Sequence, residues 1–398
     1  MTSVRFRGVI ASPFQLKMQA LADYAQCEWQ RWPDQAPSVV AAWRNQLALQ
    51  LAKRRGTVER YPERHTHLDE YPGVPYYQID DGPFYYDSSS FAYHLDALEG
   101  SGQPLIPIEP ELNFMAHLID EAFDEFGLYM VHHMRWAGTA RTTTMPEITA
   151  RELRKIYPRL LHKKILSHLP ERQSRRCPYL FSVAPEGFDL GLPSKQTPPA
   201  TPGFPETHSL LDHGWRAYLE AMESLLHQQP YLLGERFTLA DASAYGQLSM
   251  NLIDGAPADL LHELAPKTFD WLCAIRDGKH RGANGQLYLS DALKPLLEII
   301  GQTFVPLMQQ NAVAYEQAIK DGETLFNEAA FDRGRALYNG ELMGYPFRAV
   351  VKTFQVRVWY ELKVRWQGLT AESRDSLQAY VPLSTRTALA DQSGLERQ

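Results

Sequence analysis

The spacing of hydrophobic and polar positions changes along the chain, and the first hundred residues mix two spacings. Two short β-like runs, at residues 5–11 and 28–32, enclose residues 14–25, whose apolar positions recur at the spacing of a helix. Ser12 stands at the start of that helix as a candidate N-cap, and Pro13 suits the first helical position. The pattern predicts a β-α-β unit with a right-handed connection.

A second group of elements follows a long intervening segment. Residues 76–79 and 84–86 are rich in aromatic, β-favouring side chains, and an Asp-Gly pair between them is typical of a hairpin turn. Asp87 and Ser88 can then cap a helix. The N-terminal part is therefore predicted to have the order βαβ, then ββα. An ordinary hairpin and capped helix in another α/β fold would fit the same residues.

Beyond residue 100 the spacing becomes almost wholly helical. A stretch rich in Gly and Pro, at residues 100–110, reads as a linker between domains. We expect an α/β domain at residues 1–101, an all-helical domain at 108–285, and a helical extension packed on the helical domain at 286–398. Helices of the extension are predicted near residues 292–307, 311–321 and 346–366. The last of these is basic and amphipathic, which fits either a helix lying on an anionic membrane or a core helix with one solvated face.

Composition narrows the class of protein. The chain has 398 residues, of which 44% are hydrophobic and 22% charged, with a formal net charge of −7. These values are typical of a soluble globular protein and argue against a nucleic-acid-binding surface. No run is long enough to span a membrane, and the three cysteines lie far apart, which suits a reducing cytoplasm. We expect a cytoplasmic protein without a metal, because His65 and His67 are explained by a solvated loop.

One pattern in the first hundred residues resembles that of a known family. Val74-Pro75, the hairpin, and the acid-serine pair Asp87-Ser88 follow one another as they do in the glutathione-binding domain of glutathione transferases. The resemblance implies a thioredoxin-like N-terminal domain followed by a large all-α domain.

A second motif supports the same family. Residues 232–241 read Leu-Leu-Gly-Glu-Arg-Phe-Thr-Leu-Ala-Asp and are similar to the segment before a central buried helix in glutathione transferases. Within it, Thr238 and Asp241 have the spacing of a capping box, with Asp replacing Glu or Gln. The resemblance extends to about residue 280.

The resemblance implies a site for glutathione as co-substrate. Ser12 would donate a hydrogen bond to the glutathione sulfur, where the helix N-terminus also favours thiolate. Val74 would pair with the cysteinyl backbone beside a cis Pro75, and Asp87 and Ser88 would hold the γ-glutamyl group. Ser12 could instead serve only as a helix cap. The residue that binds the glycine carboxylate is not identified by the sequence.

The resemblance also implies a reaction and a place for the second substrate. The thiolate would attack, or reduce, an electrophilic small molecule at a pocket for which Phe14, Tyr129, Arg135 and Trp136 are candidates; core packing also explains Trp136. A non-catalytic binding or adaptor protein on the same fold is the alternative, because fold does not establish function.

A homodimer is expected from the same resemblance. In glutathione transferases the hairpin and following helix of one subunit pack on the first helices of the other subunit's helical domain. Here these surfaces are residues 84–96 and 112–129, and both carry aromatic side chains, which are enriched in interface cores. If the extension instead folds back over this surface, the same side chains belong to an internal core.

Overall fold

The N-terminal part of the chain is organised around a three-stranded sheet of order β2-β1-β3. The structure, a computed structural model, describes residues 3–63, 65–98, 103–138, 143–157, 159–188 and 201–393. The central strand β1 (Ser3–Arg7) runs parallel to β2 (Glu28–Trp32) and antiparallel to β3 (Tyr76–Ile79). Apolar side chains of β1 are fully buried, and Phe6 packs edge-on against Phe91, with ring centroids 5.4 Å apart.

Three helices accompany this sheet. Helix α1 (Pro13–Tyr24) connects β1 to β2, as the apolar spacing predicted. Helix α2 (Val39–Arg55) begins where the Ser38 hydroxyl accepts a hydrogen bond from the Ala41 amide, and α3 (Ser88–Asp96) follows Asp87. The β-α-β order at the start of the chain is thus confirmed.

The predicted fourth strand is reduced to a short bridge. Tyr85 exchanges two backbone hydrogen bonds with Tyr77, at 2.9 and 2.8 Å, but its neighbours pair with Glu59 instead. Residues 84–86 are shared between β3 and the segment after α2, so the prediction of a regular second hairpin strand was wrong.

The middle of the chain is helical in the residues that the structure describes. Its first helix runs from α4 (Pro110–Ala122) through a π-helical turn into α5 (Leu128–His133) and a second π-helical turn at Met134–Gly138. The helices that follow are α6 (Met145–Glu152), α7 (Arg159–Arg176), α8 (His208–Leu226), α9 (Leu239–Leu248), α10 (Gly255–Leu264) and α11 (Pro266–Arg276). Helix α9 is buried along its whole length and starts with the predicted capping box of Thr238 and Asp241, which is confirmed.

The C-terminal extension is not purely helical. It contains α12 (Lys294–Gln302), α13 (Phe304–Lys320), α14 (Asn327–Phe331), the strands β4 (Leu337–Leu342) and β5 (Tyr345–Val350), then α15 (Thr353–Gly368), α16 (Ala371–Leu377) and α17 (Leu383–Ala390). The prediction of a helix from residue 346 was wrong, because Met343 and Gly344 both adopt positive φ and close a two-residue hairpin turn.

Helix α15 is a core helix. Val358 and Leu362 are buried, so the apolar stripe that could have met a membrane packs inside the chain. None of the helices in the described residues is long and apolar enough to cross a membrane.

Candidate functional site

Ser12 lies at the N-terminus of α1, directly after the central strand. Its carbonyl oxygen accepts hydrogen bonds from the amides of Gln15 and Leu16, so its backbone starts the helix. Within the described segment 3–63, its hydroxyl makes no capping hydrogen bond with the first turn. The hydroxyl therefore stands beside the positive end of the helix dipole without being used by the helix itself.

Pro75 packs against the same turn. The Val74–Pro75 peptide bond is cis. Gly8 separates Pro75 from Gln15: a Cβ at Gly8 would lie 3.2 Å from the Pro75 Cβ and 2.0 Å from the Gln15 side-chain oxygen. The end of β1, the start of α1 and the Val74–Pro75 segment are thus brought together, and only Gly fits at position 8 without displacing a neighbour.

Asp87 caps α3, and its carboxylate is already engaged. One oxygen accepts hydrogen bonds from the amides of Ser89 and Ser90, both at 3.1 Å. The other oxygen pairs with Arg60 at 2.7 Å and with Arg357 of α15 at 3.2 Å. Burial opposes the charge on Asp87, but the two guanidinium groups and the Ser90 amide outweigh it and hold its pKa well below the usual range.

The two arginines belong to a larger ion-pair network, which we call the arginine cluster: Arg60, Arg357, Asp69, Asp87 and Glu361. Besides Asp87, Arg357 contacts Asp69 at 2.6 Å and Glu361 at 3.0 Å. Arg60 reaches Glu361 at 3.1 Å. The extension is therefore attached to the N-terminal domain at the residue expected to hold the γ-glutamyl group.

The arginine cluster adjoins a small cavity. The cavity has a volume of about 20 Å³ and lies between α3, α4 and α15, lined in part by Arg60, Ser89 and Glu361. That volume holds about one water molecule.

A larger cleft of about 730 Å³ lies elsewhere, between the end of α8 and α11, and none of the site candidates lines it. In the described part of the chain, no group of three His, Cys, Asp or Glu side chains is placed to hold a metal ion.

The Ser88 hydroxyl remains available beside Asp87. Ser88 is the first residue of α3 and is buried, and the described residues offer its hydroxyl no hydrogen-bond partner. The next residue is engaged differently: Ser89 accepts from Lys17 at 2.8 Å and donates to Asp120 at 2.7 Å. Lys17 is fully buried and also contacts Asp120 and Asp124, both at 2.6 Å, so it joins α1 and α3 to α4 and to the π-helical turn after α4.

The candidates for an electrophile pocket do not meet at one place. Phe14 is half-buried in the first turn of α1. Arg135 is buried in an ion pair with Asp254 at 2.6 Å, which places it in the core instead of the cleft. Trp136 is buried with its ring near His132, as core packing predicts.

Tyr129 is the candidate with a polar environment. Its hydroxyl is hydrogen-bonded to the Lys352 ammonium and accepts from Gln355 at 2.7 Å. Gln355 also donates to Glu125 at 3.0 Å. Burial lowers the pKa of Lys352 to about 7, although the neighbouring Glu125 charge raises it in part. Tyr129 is thus enclosed by the extension.

Residues 214–272, which contain α9, match the family described as glutathione S-transferase, C-terminal domain. The match is confined to this segment, which includes the motif at residues 232–241. The crystal structure of a glutathione S-transferase from Pseudomonas fluorescens is similar at 17% identity, covering 71% of this chain and 98% of that chain with a TM-score of 0.34. An overlap at that TM-score supports no inference about function. No curated protein matches the chain.

The surface expected to form a dimer is covered from within the chain. Phe114 packs against Trp366 of α15, with ring centroids 5.1 Å apart, and Tyr93 accepts a hydrogen bond from Arg365 at 2.6 Å. Phe123 and Phe126 pack on a tyrosine of α8 inside the helical domain. Residues 84–96 and 112–129, where a dimer interface was expected, are thus in part covered by the extension, and the homodimer stays a prediction.

Sequence reasoning missed three basic residues of the candidate site. Arg60 lies in the long segment before Val74, where the spacing of family motifs is lost. Arg357 and Lys352 were expected on a solvated face of the last long helix, yet Lys352 is 3% exposed and the Arg357 side chain 12% exposed. A local pattern could not show the contact of Arg357 with Asp87 or of Lys352 with Tyr129, because these partners lie more than 200 residues away.

Proposed function

We propose that the protein binds glutathione and joins its sulfur to an electrophilic small molecule, on a thioredoxin-like N-terminal domain in the cytoplasm. The observation that carries this proposal is the Ser12 hydroxyl, which stands at the α1 N-terminus without capping it. A hydroxyl donor and a helix N-terminus together stabilise a thiolate. The thiolate would form a carbon–sulfur bond as the electrophile's leaving group departs, and the thiol proton would pass to solvent.

The remaining parts of the tripeptide would be held as the resemblance implies. Val74 would pair its backbone with the cysteinyl unit, and the free Ser88 hydroxyl would bind the γ-glutamyl carboxylate. Asp87 would bind the γ-glutamyl amino group. Arg60 and Arg357 already pair with Asp87, so this last contact would compete with them, and we expect Arg357, the more distant of the two at 3.2 Å, to be displaced.

Calorimetric titration with glutathione tests the proposal. Saturable binding in the micromolar to millimolar range, with conjugation of chlorodinitrobenzene that depends on Ser12, is the expected result. Absence of glutathione binding in both the parent protein and Arg357→Ala would overturn it.

The second candidate is a non-catalytic member of the superfamily. One observation favours it, the pairing of Asp87 with two arginines. These arginines already neutralise the carboxylate that the amino group of glutathione would otherwise bind. Glutathione binding without any conjugation, unchanged by Ser12→Ala, would support this candidate instead.

A further inference from the structure

Helix α2 has two apolar faces, and only one of them is covered. Its inner face packs through Ala42 and Leu49, which are 1% and 4% exposed. Its outer face carries a stripe of four large apolar side chains that are 42–63% exposed: Val40, Trp43, Leu47 and Leu51. Helical periodicity explains why this segment folds as a helix, but nothing in the described chain covers the stripe.

The outer face of α2 is also basic. The helix contains four cations and no carboxylate. At about 100° per residue, Arg54 lies within about 20° of Leu47, and Arg44 and Arg55 flank it at about 60–80°. In the described residues none of these three arginines is within ion-pair distance of a carboxylate. The fourth cation, Lys53, points inward over the rings of two tyrosines.

We propose that the outer face of α2 docks on an anionic membrane surface, with its apolar stripe in the headgroup region and Arg44, Arg54 and Arg55 on the lipid phosphates. Apolar and cationic side chains on one exposed face are what an interfacial helix presents, and arginine stems reach from an apolar layer to the headgroups. The positive charge that favours membrane binding is local to this face, because the whole chain has a formal net charge of −7.

A second copy of the chain fits this face less well. Across a two-fold axis, an antiparallel pair of α2 helices would set the Lys53-Arg54-Arg55 end of each against the positive N-terminus of the other. A parallel pair would set arginine against arginine. Anionic headgroups neutralise the same charges in either orientation.

Co-sedimentation of the full chain with vesicles tests the proposal. We expect binding to phosphatidylcholine vesicles containing phosphatidylserine, little binding to phosphatidylcholine alone, and release by salt. Leu47→Glu should abolish binding. Replacing Arg44, Arg54 and Arg55 by Gln should weaken it roughly a hundredfold. Brominated lipid should quench Trp fluorescence, and the quenching should be lost in Trp43→Phe.

Leu383→Glu is the matched control, because Leu383 is 69% exposed on α17 and far from this stripe in sequence. It should bind vesicles as the parent does, and thermal melting should be similar for both glutamate variants. Equal loss in both variants, or no binding to either vesicle, would overturn the proposal. So would a mass near twice 45.4 kDa that Leu47→Glu reduces to one chain, because the face would then be a contact between copies.

Discussion

Replacing Arg357 by Ala should weaken the fold and tighten glutathione binding at the same time. Arg357 contacts Asp69 at 2.6 Å and Asp87 at 3.2 Å from a side chain that is largely buried. Removing one partner of a buried ion pair costs about 3–5 kcal/mol. In the variant, Asp87 still contacts Arg60 and two backbone amides, and Asp69 still accepts a hydrogen bond from Tyr86. We therefore expect the free energy of unfolding to fall by an amount near the lower limit of that range.

The gain in affinity follows from the same contacts. If glutathione must displace Arg357 to reach Asp87, binding carries the cost of one charge-assisted hydrogen bond, about 1.5–3 kcal/mol. Removing Arg357 in advance removes that cost, so the dissociation constant should fall about 10- to 150-fold.

Calorimetric titration and urea unfolding measure the two effects on the same samples. Arg365→Ala is the matched control, because Arg365 lies on the same helix and donates to Tyr93, not to Asp87. It should leave glutathione affinity unchanged. If Arg357→Ala is folded and binds glutathione no more tightly than the parent, Asp87 is not a ligand contact that Arg357 blocks.

Three further predictions follow from other parts of the structure. Ser12→Ala should slow conjugation of chlorodinitrobenzene by about 2–4 kcal/mol in activation free energy while leaving glutathione affinity nearly intact, and unchanged turnover would remove Ser12 from the mechanism. Burial lowers the pKa of His132 and His133 to about 3 from 6.5, so the unfolded chain gains protons first and stability should fall as pH drops below 6.5, by up to about 1.4 kcal/mol per pH unit for each histidine. Urea titrations should show a shallower slope in His133→Gln and no change in the exposed control His227→Gln. Because α15 covers the expected interface, light scattering should give a mass near 45.4 kDa, and a mass near twice that would show pairing through another surface.

The elements that the sequence predicted well are those with local causes. Helix α1 follows from Pro13 and the apolar spacing after it, and α9 from a capping box whose two members lie three residues apart. Such signals depend on neighbours along the chain, so they persist whatever the tertiary contacts are.

The wrong prediction of a helix from residue 346 arose because the apolar residues there fit the periodicity of a helix and that of a strand. Phe347 and Val351 fit the helical stripe that continues through α15, but Phe347 also fits the alternation of a strand. The turn at Gly344 decides between them, because its positive φ favours a hairpin and Phe347 then packs on Phe181 at a centroid distance of 4.8 Å. Periodicity also does not show whether an apolar stripe on a helix is covered by the rest of the chain. The stripe on the outer face of α2 is an example, because it is exposed.

Only the part of the candidate site that lies in motifs resembling the family could be predicted from the sequence. Those motifs occupy short segments and contain Ser12, Val74, Pro75, Asp87 and Ser88. Arg357, which pairs with Asp87, lies 270 positions away. A contact of that separation depends on how the extension folds over both domains, which no local pattern specifies.

Two movements could expose Asp87 to glutathione, and they differ in energetic cost. If the whole of α15 moved away, Trp366 would leave its contact with Phe114, and exposing about 200 Å² of indole would cost roughly 5 kcal/mol. Rotation of the Arg357 side chain breaks ion pairs alone and leaves Trp366 buried. We therefore expect Trp366→Leu to lower thermal stability without changing glutathione affinity by more than about twofold. A tenfold or greater tightening in Trp366→Leu, measured by the same titration, would mean that the helix as a unit must move for glutathione to bind.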